Sequence, residues 1–441
     1  MADDLGWGDV GFNGNEKILT PQLDKMAESG VKFNNFYAAA PLCSPTRASV
    51  LTGRSPFRQD IFAAHTEGMR VAETTIADVL QKEGYATGFF GKWHLGWVEP
   101  DKVESRGIYS PPWHHGFDEV FATKSAVPTY NPTKIPEGWK GWGSNKDDLK
   151  AGDSWGGSIY VQNGVPVTEN LDGDDSRIIM DRAIPFIEKS LNEGKPFLAT
   201  IWFHTPHEPV VAGPEYLAKY PNLPLEQQHL YGCITAMDDQ IARLQSFLEE
   251  QGIDENTVIF FCSDNGPADG LTKRGIASAG PLRGHKHTMY DGGLKVPSLI
   301  YWPGKEFAAN TTSVHANTND YFPTILDILD ITIKPKKQVP LDGVSLLPLF
   351  EDGSIERSVP FASGFQRLWQ DKELYALIID DYKICLPEKG EEWMLFNIKE
   401  DPNETTNLAA EQPEVLENMQ AELEKIKEDW RLSREGRDYR W

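Results

Sequence analysis

Cysteine is scarce: Cys43, Cys233, Cys262 and Cys385 are the only four in 441 residues. Their wide separation matches neither a zinc-binding spacing nor a small disulfide framework, and they leave the redox compartment open. No uninterrupted apolar run is long enough to cross a bilayer, so no membrane span is expected. Basic residues are in deficit, 43 against 66 acidic ones, for a formal charge of −23. Such a field repels phosphate backbones and anionic membranes and argues against nucleic-acid binding. No repeat, no low-complexity tract and no signal peptide precedes the first motif, since the chain opens directly at Met1-Ala2-Asp3-Asp4-Leu5-Gly6. With 40% apolar and 25% charged residues, what remains is a globular chain with ample length for a hydrophobic core.

Four short apolar runs, over 86–90, 197–203, 257–262 and 296–302, each end in a polar or glycine cluster, as buried strands do. Helical patterns lie between them. Ile76, Val79 and Leu80 precede Gly84, and Met237, Ile241, Leu244 and Leu248 precede Gly252. This alternation predicts an α/β fold with a large mixed, mostly parallel sheet flanked by helices. Composition shifts near residue 350. The expected organisation is a catalytic domain over 1–351 and a smaller C-terminal α+β subdomain over 352–441. The subdomain carries strand-like runs at 374–379 and 393–398 and a final amphipathic helix bearing Val415, Leu416, Met419, Leu423, Ile426 and Trp430. Between about 97 and 173 the chain reads as long loops containing Trp97, Trp113, Trp139, Trp142 and Trp155, either core plugs or a platform for sugar rings.

The chemistry-bearing residues fall at the ends of these elements. In the segment from Pro41 to Arg54, Ser44 is a candidate N-cap, Pro45 a first helical residue and Gly53 a C-terminal stop. Cys43 then lies at the positive end of a helix, with Arg47 one turn on. Read alone, Cys43 is more readily a buried structural cysteine before a helix. Gly91-Lys92-Trp93-His94 follows the first strand run, His204-Thr205-Pro206-His207 the second and Asp264-Asn265-Gly266 the third. Open α/β sheets bind ligands beyond their strands' carboxyl ends, so these clusters should meet in one crevice. Asp3, Asp4, Asp264 and Asn265 offer hard oxygen donors suited to Ca²⁺ or Mg²⁺ rather than zinc. Arg47, Lys92, Lys286 and the histidines can hold a tetrahedral oxyanion.

Together these segments resemble the type I, formylglycine-dependent sulfatases of the alkaline phosphatase superfamily. The resemblance rests on Ala2-Asp3-Asp4-Leu5-Gly6, the Cys-x-Pro-x-Arg signature at Cys43 to Arg47 with its Leu51-Thr52-Gly53-Arg54 tail, and the Lys92, His204 and Asp264 clusters. It continues through Lys286 to Gly293 and ends at Leu395-Phe396-Asn397 with Asp401-Pro402, in the family's order over nearly the whole chain. It implies an alkaline phosphatase-like fold and sulfate-ester hydrolysis on a sulfated carbohydrate. It implies that a formylglycine-generating maturation enzyme oxidises Cys43 to an aldehyde whose hydrate attacks sulfur, giving a sulfated enzyme intermediate. By position, Asp3, Asp4, Asp264, Asn265 and the converted Cys43 would hold one Ca²⁺, with Mg²⁺ second. Arg47 and His94 would orient the nucleophile, Lys92 and Lys286 would clamp sulfate oxygens, and His204 would protonate the leaving alcohol. The family's habit implies a periplasmic or secreted protein. Alternative readings are a phosphonate or phosphate ester hydrolase of the same superfamily and an inactive glycan-binding relative.

Two departures stand out. Lys295 occupies a position where many relatives carry arginine, and only Met1 precedes Ala2 where the family places an apolar strand. The expectation is that Met1 is internal to a longer natural protein or marks a truncated gene, and that Asp3 and Asp4 are loosely placed with neighbouring backbone groups unpaired.

Overall fold

The computed structural model describes residues 1–64, 68–100, 109–137, 150–333, 339–367, 372–387 and 392–439. Its core is mixed α/β. The strand Ala86–Lys92 pairs in parallel with both Glu119–Thr123 and Phe197–Trp202, and a short hairpin of Val161–Gln162 and Val165–Pro166 extends this sheet antiparallel to five strands. A four-stranded sheet holds Thr311–Thr312, Val31–Phe33, Ser298–Tyr301 and Ile259–Cys262, in that order. The expected single large sheet is therefore divided, and Ser298–Tyr301 runs antiparallel to both its neighbours. Periodicity reports burial, not strand direction, which is why the sequence suggested a more parallel arrangement.

Alternation along Ala86–Lys92 shows how the core forms. Phe89 packs against Trp202 on one side, and Phe90 meets Phe186 of the helix Asp175–Asn192 on the other. The helices Ile76–Lys82 and Leu225–Glu250 arise where the apolar spacing placed them, the first closed by a capping box between Thr75 and Asp78. Among the described residues, no helix is long and apolar enough to cross a membrane.

The two sheets meet at the start of the chain. The Ala2 N–H donates to Cys262 O at 2.9 Å, and Ala2 O accepts from Asp264 N at 3.1 Å. Met1 O accepts from Phe203 N, and Thr205 O accepts from Asp3 N. Asp3 and Asp4 are accordingly buried and held rather than loose, which corrects the expectation from the sequence. Behind this bridge, between Phe197–Trp202 and Ile259–Cys262, lies an apolar cavity of about 570 Å³ lined by Met1, Phe197, Ala199, Ile201, Phe260 and Ile259 among others.

Four antiparallel strands, Phe361–Arg367, Lys372–Ile379, Tyr382–Cys385 and Met394–Asn397, form the C-terminal sheet in consecutive order. Its faces follow the strict two-residue alternation of a strand. Tyr375 and Leu377 face Met419, Leu423 and Trp430 of the helix Pro413–Arg434. Leu374, Ala376 and Ile378 face the opposite way, into a cluster with Tyr37, Leu42, Cys43 and Met289. The C-terminal sheet thus packs directly behind the segments carrying Cys43 and Lys286.

Candidate active site

A helix runs over Cys43–Thr52 and stops at Gly53, whose φ of 67° is the left-handed conformation glycine adopts freely. Cys43 is its first residue. Ser44 is not the N-cap: it lies inside the helix, and its hydroxyl donates to His94 O at 2.6 Å, tying the start of the helix to the Lys92–His94 turn. The Cys43 thiol is buried. Burial pushes it up, and the Lys92 and Lys286 ammonium groups oppose that shift.

Three cations face three carboxylates around this thiol. The Arg47 guanidinium donates to Asp264 Oδ2 at 2.6 and 3.1 Å and to Lys92 O at 2.9 Å, with Trp202 beneath it. Lys92 Nζ meets Asp3 Oδ2 at 2.6 Å, and Lys286 Nζ meets Asp4 Oδ1 at 2.6 Å. All six side chains are buried. Although burial alone would raise it, the Lys286 ammonium holds the Asp4 carboxyl well below the usual carboxylate range. Burial and the neighbouring Asp3 raise Asp264 to about 6.

The donor set fits a hard divalent cation. Asp3 Oδ1 and Asn265 Oδ1 are buried with no hydrogen-bond partner among the described residues, a costly state for polar oxygens unless something electropositive sits between them. Asn265 is oriented by donating its amide to Asp4 Oδ1 at 2.7 Å, while Asp4 is held by its N–H to Asp264 Oδ1. His207 joins this group. Its ligand atom lies within 4.8 Å of those of Asp3 and Asp4, and its Nε2 is 3.8 Å from Asp4 Oδ2.

His94 is buried with φ 56°, and its N–H donates to Lys124 O. His204 lies elsewhere than expected. It is fully buried, with Nδ1 2.7 Å from Asp175 Oδ2 and Nε2 2.7 Å from Thr123 Oγ1. Tyr160 also donates to Asp175. Both ring nitrogens are engaged by the protein, so His204 would have to give up its Thr123 contact to reach a leaving alcohol. The sequence offered His207 in the same motif but no sign of which histidine faces the crevice. Asp175 and Thr123, remote in sequence, went unmarked.

The tryptophans divide. Trp155 is a core plug, 4% exposed, that donates its indole N–H to Asn131 O. Trp97 has one ring face covered by the Lys124 ammonium, 3.2 Å from the ring centroid. Trp139 and Trp142 lie outside the described residues.

With this geometry in place, a family model described as Sulfatase matches residues 1–331. The chain belongs to the sulfatase family. A second model, N-sulphoglucosamine sulphohydrolase, C-terminal, matches residues 284–429 of this sulfatase. Arylsulfatase G of Mus musculus is 31% identical over 95% of this chain and 84% of its own length. N-acetylgalactosamine-6-sulfatase of Mus musculus is 30% identical over 90% of this chain and 72% of its own. Among solved structures, that of Ps i-CgsB in complex with k-i-k-neocarrahexaose superimposes with a TM-score of 0.82 at 28% identity, covering 97% of this chain and 91% of that one. The sulfatase is a sulfuric ester hydrolase with an alkaline phosphatase-like fold.

Proposed function

We propose that this sulfatase removes sulfate from a sulfated carbohydrate, using Cys43 converted to formylglycine as nucleophile and one Ca²⁺ held by Asp3, Asp4, Asp264 and Asn265. The observation that carries the reading is Cys43 at the start of its helix, buried among Arg47, Lys92 and Lys286, each cation paired to its own carboxylate. The sugar substrate is supported by a relative named N-acetylgalactosamine-6-sulfatase and by structural neighbours in complex with k-i-k-neocarrahexaose and with D-glucosamine-2-N,6-O-disulfate. A bound divalent ion would polarise a sulfate oxygen and favour ionisation of the nucleophile, and the converted Cys43 would complete its donor set.

The chain's own residues do the rest. Lys92 and Lys286 turn ammonium donors toward sulfate oxygens, where negative charge gathers in the transition state. Arg47 fixes Asp264 and, through Lys92 O, the turn leading to His94. His94, tied to Ser44 through its own carbonyl, orients the nucleophile and accepts its proton. His207, at the rim beside Asp4 with Nδ1 held by Glu208 O, is the candidate proton donor through Nε2; burial and the Lys92 and Lys286 ammonium groups lower it to about 3, so the charge gathering on the leaving oxygen has to draw the proton onto it. Residues 1–351 form the catalytic domain and 352–441 the C-terminal subdomain. Action outside the cytoplasm, periplasmic or secreted, accords with this substrate, since polymeric sulfated sugars do not cross membranes intact.

Two measurements test this. Mass spectrometry of the peptide containing Cys43 should show the aldehyde in protein matured in a competent host, and Cys43→Ala should abolish aryl sulfate hydrolysis without lowering Tm. Near-native turnover by Cys43→Ala would overturn the mechanism. Chelation should lower both activity and Tm, as it must when a ligand binds only the folded state, with Ca²⁺ restoring both. Stoichiometric zinc, or full activity without metal, would overturn the Ca²⁺ assignment.

A further inference from the structure

The segment Leu395-Phe396-Asn397 with Asp401-Pro402 supplies none of the ion pairs around Cys43, although Phe396 packs in the same buried cluster as that residue. Its place in the fold suggests a reason. The next turn closes with the Glu404 N–H on Asp401 O, and the Glu404 side chain is fully buried. Glu404 Oε2 accepts the Asp291 N–H at 2.7 Å, and Glu404 Oε1 lies 2.7 Å from the ammonium of Lys383, a buried lysine on the strand Tyr382–Cys385. Lys383 Nζ also reaches Asp291 Oδ1 at 2.6 Å. Asp291 Oδ2 in turn meets Lys295 Nζ at 3.0 Å and accepts from Tyr37 OH at 3.2 Å. Two cations and two carboxylates close a buried, charge-balanced cluster joining the C-terminal sheet to the catalytic domain.

Asp291 is the hinge-point of this cluster because Gly292 and Gly293 come directly after it. The Gly292 N–H donates to Arg283 O at 2.7 Å, closing the turn from Arg283 to Gly292 that displays Lys286. The Gly293 carbonyl accepts Gly266 N at 3.0 Å, bracing the residue after Asn265. A Cβ at Gly292 would come within 2.4 Å of Gly284 O, so this backbone has no room to re-pack. The same turn is gripped from the C-terminal side: Arg283 Nη1 donates to Glu404 O at 2.9 Å, and the His287 ring stacks on Phe365.

We propose that Lys383 and Glu404 are positioning residues that act through Asp291 to place the Lys286 ammonium for sulfate binding, so that the C-terminal subdomain sets the affinity of the catalytic site for the sulfate group. This rests on the proposed role of Lys286 as a sulfate clamp. Leaving a buried ion cluster with one partner removed shifts the backbone it holds, and about 1 Å at Lys286 is enough to degrade a charge-assisted hydrogen bond.

The test is a double-mutant cycle read by calorimetric binding of inorganic sulfate to the metal-loaded enzyme, alongside KM and kcat for an aryl sulfate. Lys286→Ala alone should weaken sulfate binding about ten- to hundred-fold, the range of a lost charge-assisted bond. If it does not, the clamp role of Lys286 fails, independently of the cluster. Glu404→Ala should weaken sulfate binding and raise KM roughly ten-fold, with kcat changed little. Glu404→Gln, which keeps an acceptor for Asp291 N–H, should recover most of that loss. In the Lys286→Ala background, Glu404→Ala should cost nothing further, because the group it positions is gone. A merely structural role lowers the active fraction instead, leaving KM and sulfate affinity as they were. Additive losses, or an unchanged sulfate affinity in folded Glu404→Ala, would overturn the proposal. Should Glu404→Ala not fold, Lys383→Met/Glu404→Gln, which leaves Asp291 paired with Lys295 and no buried charge alone, takes its place: a loss of sulfate affinity beyond that of Glu404→Gln alone, absent in the Lys286→Ala background, supports the proposal, and no such loss overturns it.

Discussion

His204 and His207 stand three residues apart and meet opposite surroundings, and the difference sorts their roles. His204 is clamped between Asp175 and Thr123, whereas His207 lies at the rim with Nε2 facing Asp4 and Nδ1 on Glu208 O at 2.6 Å. A proton donor matters in proportion to how poorly the alcohol leaves. His207→Ala should therefore lower kcat/KM on a sulfated sugar by the ~10² to 10⁴ typical of lost general acid catalysis, but far less on an aryl sulfate with an acidic phenol. His204→Ala, which only loosens the loop, should reduce both substrates alike and lower Tm. Comparing the two variants on the two leaving groups decides the assignment, and a leaving-group-dependent loss in His204→Ala would reverse it. The chemistry of the site was legible in its residue types: oxygen donors at Asp3, Asp4, Asp264 and Asn265, and cations at Arg47, Lys92 and Lys286, are side by side in the fold. Which histidine faces inward was not legible, because that depends on Asp175, brought near by tertiary packing alone.

At the scale of elements, the C-terminal helix Pro413–Arg434 shows what a pattern can specify. Its three- and four-residue spacing placed Met419, Leu423 and Trp430 on one face, and they are buried on the C-terminal sheet. Trp430 packs against Phe57 with ring centroids 5.4 Å apart, linking this helix to the catalytic domain as well. Trp430→Ala should cost about 3 to 5 kcal/mol by emptying that space. Chemical denaturation measures it, and a cost under about 1 kcal/mol would show that the helix is anchored elsewhere. Strand existence and helix spacing were legible because burial leaves a periodic trace. Strand direction was not, and Ser44 looked like a cap because hydroxyls suit caps, whereas here its hydroxyl serves the His94 carbonyl. The helix stop at Gly53 was readable, since few residues other than glycine accept its φ of 67°.

For the whole molecule, a charge of −23 surrounds a site built to hold an anion. The field outside opposes the approach of a polyanionic chain, and salt screens it over about 10 Å at 0.1 M. Raising ionic strength from low values to about 0.15 M should thus increase kcat/KM for a sulfated oligosaccharide more than for a monoanionic aryl sulfate. Equal salt responses would show that the local cations, not the global field, govern encounter. The cavity between Phe197–Trp202 and Ile259–Cys262 carries a separate consequence, for solution behaviour. Among the described residues, each of these strands is paired with a partner strand on one side only, and between them only Met1 to Asp3 bridge their ends, so two apolar sheet margins confront each other across a slot. Margins of this kind recruit extended chains, including those of other molecules.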